Sequence, residues 1–207
     1  MRHSNKIILV TSEFPPMFGG IGTHALNIYR ELSKNNYDFS VIAPINANIN
    51  GKQKVQCNEK NIIRYRNNSY FKLIVIVITI IKLLLSNPKS IIIASGQLPV
   101  IVIGNLFGLL RIKSIAIIHG HEAIMGSSIK KIIFKSAIKN YQSIIAVSSF
   151  SKQILHKVIP NIKISVINNG LDIERFRNYS RNQNKIDGLK LLTIGSLTDR
   201  KGQLNVI

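Results

Sequence analysis

Gly19-Gly20-Ile21-Gly22 stands nine residues after a short apolar run, Lys6–Val10, and directly ahead of Thr23. Glycines let backbone N–H groups approach a ligand closely, and a helix beginning behind them adds partial positive charge. The chemistry such a loop offers is the binding of a phosphate or another anion. The same glycines serve equally as a plain turn after a strand, and their type alone does not separate the two readings. His119-Gly120 closes another apolar run, Ser114–Ile118. A histidine at a strand end is placed to contact a substrate or, by position alone, to cap a loop. Gly96-Gln97 and Asn168-Asn169-Gly170 also follow apolar runs. Asn-Gly favours positive φ, so Asn168–Asp172 reads as a turn as readily as a site.

These residues need elements to hold them. Lys6–Val10 (KIILV) is an uninterrupted apolar run of the kind buried on both faces of a parallel sheet. Phe14-Pro15-Pro16 ends it. A first helix is predicted over Gly22–Ser33, with Ala25, Ile28, Tyr29 and Leu32 at core spacing. Further strands are predicted at Asp38–Ala43, stopped by Pro44, and at Asn61–Tyr65, Ser90–Ala94, Ser114–Ile118, Ser143–Val147 and Ile162–Ile167. Residues 46–61 read as a loop. Helices are predicted over Leu98–Leu110, Ser128–Asn140 and Ser149–Val158. Short apolar runs alternating with helices are the doubly wound pattern, so the fold class is α/β with a Rossmann-like parallel sheet. In such folds ligands bind at the carboxyl ends of the strands, where the strand order reverses.

Tyr70–Ser86 is the most apolar segment. Its uncharged stretch, Leu73–Ile81, falls far short of the ~20 residues that span a bilayer. On a helical wheel Lys72, Thr79, Lys82 and Ser86 share a narrow stripe, which predicts a mostly buried helix with one wet edge. Its β-branched content also permits a strand. In the helix after Ser128, Lys131, Lys135 and Lys139 repeat every four residues, with Phe134 and Ile138 beside them. That stripe suits an anionic membrane surface or simply a solvated face.

Twenty-eight Lys and Arg against nine Asp and Glu give a formal net charge of +19 over 207 residues, which predicts attraction to something anionic. A coding bias towards Lys, Asn and Ile would enrich lysine too, but would not explain the scarcity of acids. No DNA- or RNA-binding motif or aromatic platform is present, so nucleic acid is not an expected partner. The single cysteine, Cys57, excludes an internal disulfide and fits a reducing compartment. Met1–Asn5 leads straight into a strand, and no signal-peptide pattern is visible. A nicotinamide-type dinucleotide fold wants its glycines immediately after the first strand and an acid near the end of the second. Here the second strand ends Val41-Ile42-Ala43-Pro44, which argues against it.

The chain changes character near its end. Residues 178–188 are polar and read as a linker, and Leu189–Ile194 opens a new strand followed by Gly195-Ser196-Leu197-Thr198-Asp199-Arg200-Lys201-Gly202. The expected organisation is one domain over 1–177, the linker, and the start of a second, incomplete Rossmann-like domain over 189–207.

FPPMFGGIGTHALNIYREL, the strand ending in His119-Gly120, VINNGLD and IGSLTDRKG, in that order, resemble the retaining glycosyltransferases of family 4. That resemblance covers essentially the whole chain. It implies the GT-B architecture of two Rossmann-like domains, of which residues 1–177 are the acceptor-side one. It implies that Gly19 and Gly20 approach the diphosphate of a nucleotide-sugar donor. It implies that His119 reaches the transferred sugar as a catalytic residue, and that Arg200 and Lys201 neutralise the leaving diphosphate. Such enzymes generally use no metal or other cofactor. Ser196 departs from the arginine common at its position, and the chain ends before the family's pair of glutamates. The implied function is sugar transfer to a saccharide or lipid-linked acceptor in surface polysaccharide synthesis, at the inner face of the cytoplasmic membrane. The 207 residues alone are expected to be inactive. The alternative is a non-catalytic acceptor-binding subunit, or a remnant, of the same fold.

Overall fold

The computed structural model describes residues 5–17, 19–45, 61–67, 70–110, 112–120 and 128–171, together with 173 and 192. The chain divides into two compact units, Met1–Asn169 and Gly170–Ile207. In the first, seven strands form one sheet: β1 (Ile7–Thr11), β2 (Phe39–Ile45), β3 (Ile62–Arg66), β4 (Ile91–Ser95), β5 (Ser114–Ile118), β6 (Ser143–Ala146) and β7 (Ser165–Val166). Their order is β3-β2-β1-β4-β5-β6-β7, and every described pairing is parallel. The helices are α1 (Gly20–Lys34), α2 (Lys72–Ser86), α3 (Gln97–Leu106), α4 (Ser128–Lys139) and α5 (Ser149–Val158). The Rossmann-like α/β expectation holds.

Alternating strand residues separate two cores. On one face Leu9, Val41 and Ala43 pack with Phe14, Ala25, Leu26, Tyr29 and Phe39 under α1. Tyr29 meets Phe14 and Phe39 edge-on, with ring centroids 5.9 and 5.4 Å away. On the other face Ile8, Val10, Ile92, Ala94, Ala116 and Ile118 pack with residues of α2, α3, α4 and α5. Gly104 sets the closeness of α3 and α4, since a Cβ there would fall on the backbone of Ala137. Asn140 Nδ2 donates to Gly104 O at 3.0 Å and the Tyr141 hydroxyl to Val100 O at 2.8 Å, fastening the same joint. α5 is capped by Ser148, whose Oγ accepts from Ser151 N.

Several expectations need correction. Tyr70–Ser86 does form a helix, but only Ile76 and Ile80 are fully buried, and the side opposite them is apolar and exposed. A single short helix lying on a sheet has room for one buried stripe, and this segment has more apolar residues than that stripe holds. Pro44 does not stop β2. The β1–β2 pairing has already ended at Val10↔Ile42, so Pro44 lies where only β3 accompanies β2. This is the kind of place where a missing N–H is tolerated. The helix predicted over Leu98–Leu110 ends at Leu106 and resumes as one 3-10 turn, Gly108–Leu110. The strand predicted over Ile162–Ile167 shortens to the exposed pair Ser165–Val166. In α4, as expected, Lys131, Lys135 and Lys139 are exposed, and Phe134 and Ile138 beside them are buried in the core.

Candidate functional site

In a parallel sheet all carboxyl ends lie along one edge. The strand order reverses between β1 and β4, the point where ligands bind in doubly wound sheets. The glycine loop follows β1, Gly96 follows β4 and His119 follows β5. β1 and β4 stay paired to Thr11↔Ser95, and Ser12 N donates to Ser95 O at 3.0 Å just beyond. Gly96 has φ +90, and a Cβ there would strike the Ser12 side chain, so the crossing of these loops requires glycine. Gly120 likewise has φ +101, with Ser151 of α5 close against it.

His119 Nε2 and Ser95 Oγ share a hydrogen bond at 3.0 Å. The pairing Ser95↔Ile117 places the two side chains at adjacent strand ends, although they are 24 positions apart in sequence. The His24 ring, in the first turns of α1, stands edge-on to the His119 ring with centroids 5.1 Å apart and planes at 81°. Burial lowers the His119 pKa to about 4, helped by the neighbouring His24. Burial also lowers that of His24. Both imidazoles are therefore neutral at pH 7, and His119 offers a hydrogen bond rather than a charge. His24 Nδ1 is buried without a hydrogen-bond partner among the described residues.

Gly19 is the N-cap of α1 and contributes no side chain to capping; instead Gly22 N donates to the Glu13 carboxylate at 3.3 Å. Glu13 lies against Gly19 too, where a Cβ would collide with its carboxylate. An anionic group thus already rests on the helix start, the position that the glycine spacing marks for an anion. Gly20 borders open space. Thr11 Oγ1 donates to Glu13 O at 2.8 Å, and the Tyr65 hydroxyl donates to Thr11 O at 3.3 Å from beneath the loop. Burial lifts the Tyr65 pKa to about 12, so the phenol stays a donor.

Of the residues singled out by sequence, the structure brings the glycine loop and His119 to one edge, with α1 joining them through His24. Arg200 and Lys201 lie outside the described residues, as do residues 46–60 of the expected loop, the linker over 178–188 and, Leu192 apart, the strand at Leu189–Ile194. Sequence reasoning missed Glu13, His24 and Ser95. The signal for Ser95 was a polar residue closing the apolar run Ile91–Ala94, and it is fully buried. Among the described residues no three His, Cys, Asp or Glu side chains gather as metal ligands. A concavity lined by Asn5, Lys89 and Lys113 opens at the opposite, amino-terminal edge of the sheet, away from every one of these loops.

Solved structures share this fold. The Anabaena protein Alr3699/HepE, determined in complex with UDP, superposes with a TM-score of 0.57 at 16% identity, over 82% of this chain and 45% of its own. UDP-N-acetylglucosamine 2-epimerase from Rickettsia bellii gives 0.58 at 9% identity, over 84% and 48%. An alpha-glucosyltransferase in complex with UDP gives 0.50 at 12%, over 84% and 46%. The chain thus spans less than half the length of each. A glucosyltransferase and an epimerase appear together, so the fold by itself does not choose between activities. No curated protein sequence matches the chain. The sequence model of Glycosyltransferase Family 4 does match, over residues 18–175, from the glycine loop past Asn168-Asn169-Gly170. That match covers well over half the chain, and the chain belongs to glycosyltransferase family 4.

Proposed function

We propose that residues 1–177 of this chain are the acceptor-side domain of a retaining glycosyltransferase that moves a sugar from a nucleotide-sugar donor to a saccharide or lipid-linked acceptor. The observation that carries the reading is the convergence of the glycine loop, Ser95 and His119 on the β1/β4 reversal in a chain of this family. Gly19 and Gly20 bring backbone N–H groups to the donor diphosphate. His119, neutral and oriented by Ser95, hydrogen-bonds the transferred sugar. Arg200 and Lys201 neutralise the diphosphate as the glycosidic bond breaks and negative charge grows on it. The scarcity of acids and the exposed lysines of α4 support work at an anionic membrane surface, the inner face of the cytoplasmic membrane, in surface polysaccharide synthesis.

Solved relatives of this fold extend about as far again as the part aligned to this chain, so residues 1–207 alone are expected to transfer nothing. The test is release of nucleoside diphosphate from a panel of nucleotide sugars. It compares the 207-residue chain with the same chain joined to a donor domain, and the anomeric configuration of the product is read by NMR. Transfer with retention by the joined protein only is the expected result. Transfer by the 207 residues, or inversion, would refute the reading.

A further inference from the structure

We infer that the outward side of α2 inserts into an anionic phospholipid surface, with α4 supplying lysines alongside it. Ile76 and Ile80 turn α2's inner stripe into the core. Directly opposite, Phe71, Ile74, Ile78 and Leu85 are 66%, 54%, 46% and 77% exposed, with Ile81 between them. No charged residue interrupts that outer stripe, and Lys72 and Lys82 lie to its side. A solvated surface helix puts polar residues there, so this helix has two apolar faces and only one core.

α4 belongs to the same layer, since Phe134 and Ile138 share a core with Ile76 and Ile80. Its solvent side carries exposed Ile129 and Ile132 among Lys131, Lys135 and Lys139. Between Lys60 and Leu171 the sequence holds fifteen Lys and Arg against a single acid, Glu122.

This combination chooses the occupant. A nucleic acid would answer the charge but leave the Ile and Leu stripe in water, with no aromatic row for bases to stack on. A second copy would cover the stripe but bring two chains of net charge +19 together. An anionic bilayer answers both, through acyl chains for the stripe and headgroups for the lysines, whose stems reach past the apolar residues. α2 is about 22 Å long, from 15 residues at ~1.5 Å each, so it lies in the interface rather than crossing it. Among the described residues no helix is long and apolar enough to cross a membrane.

The inference rests on the reading of an enzyme at a membrane surface, but its test uses no substrate, so either can fail alone. Co-sedimentation of the protein is compared between vesicles of phosphatidylcholine and vesicles also containing phosphatidylglycerol. Binding is expected to the anionic vesicles only. Ile74→Asp with Ile78→Asp, both at exposed positions, is expected to weaken it about tenfold or more. Lys131→Gln with Lys135→Gln is expected to weaken it about tenfold at low salt. The chain has no tryptophan, so Ile78→Trp gives a single reporter, expected to blue-shift on anionic vesicles. An unshifted reporter, or undiminished binding by the aspartate variant, would overturn the insertion. So would a dimer that the aspartate variant dissolves without any vesicle binding, which would assign the stripe to a second copy. Tight oligonucleotide binding in place of vesicle binding would overturn it in favour of nucleic acid.

Discussion

The neutral state of His119 makes a quantitative prediction. In the unfolded chain its imidazole titrates near the ordinary 6.5; in the folded protein burial, aided by His24, lowers the pKa to about 4. Between these values the unfolded state binds more protons than the folded one, so stability falls as pH falls. The contribution is fully present above pH 6.5 and lost progressively down to about pH 4. At pH 5 the loss is about 2 kcal/mol, and it levels off near 3 kcal/mol below pH 4. The perturbation is His119→Gln, which keeps a hydrogen-bonding side chain for Ser95 but cannot titrate. Urea unfolding of both proteins at pH 7.5 and pH 5 isolates the histidine, because acids common to both cancel in the difference. The wild type is expected to lose about 2 kcal/mol more than the variant over that interval. His24 is also depressed but is present in both proteins, and it no longer faces a second imidazole in the variant. NMR titration of the histidine Hε1 resonances provides the independent check. A His119 resonance titrating near 6.5, or equal acid sensitivity of the two proteins, would show that the folded protein does not hold this imidazole neutral.

Two further outcomes follow from packing and capping. Gly104→Ala tests the α3–α4 joint. Helix propensity alone would stabilise it by about 0.5–1 kcal/mol, whereas collision with the Ala137 backbone is expected to cost about 1–3 kcal/mol and lower the Tm; a raised Tm would show that the helices do not meet there. Glu13→Gln keeps a hydrogen-bond acceptor for Gly22 N but removes the charge facing the start of α1, and is expected to cost about 0.3–1 kcal/mol, less at high salt; a salt-independent or stabilising change in chemical denaturation would argue against it.

The sheet was legible because a parallel sheet buries both faces of its strands. Runs such as Lys6–Val10 and Ser114–Ile118 admit few other readings. Burial of α2 was not legible. Periodicity reports which residues are apolar, and a helix apolar on two sides looks the same whether one or both are covered. Pro44 misled because its tolerance depends on where β1 parts from β2, a tertiary fact. Within the site, the glycines and His119 were marked by their position after strands. Ser95 and His24 act through contacts with His119 that strand pairing and helix placement create, and no local spacing encodes them. Glu13 lies nine positions before Gly22 and reaches it only because the loop folds back.

The most direct test of the account is the rate of sugar transfer by the protein, in the length its source cell makes, with and without His119→Ala. Turnover of at least one nucleotide sugar by the wild type is expected. In the variant kcat is expected to fall about a hundredfold or more while circular dichroism and donor binding are retained, as for loss of one preorganised contact at the reacting sugar. Transfer that proceeds unchanged without the imidazole would contradict the account.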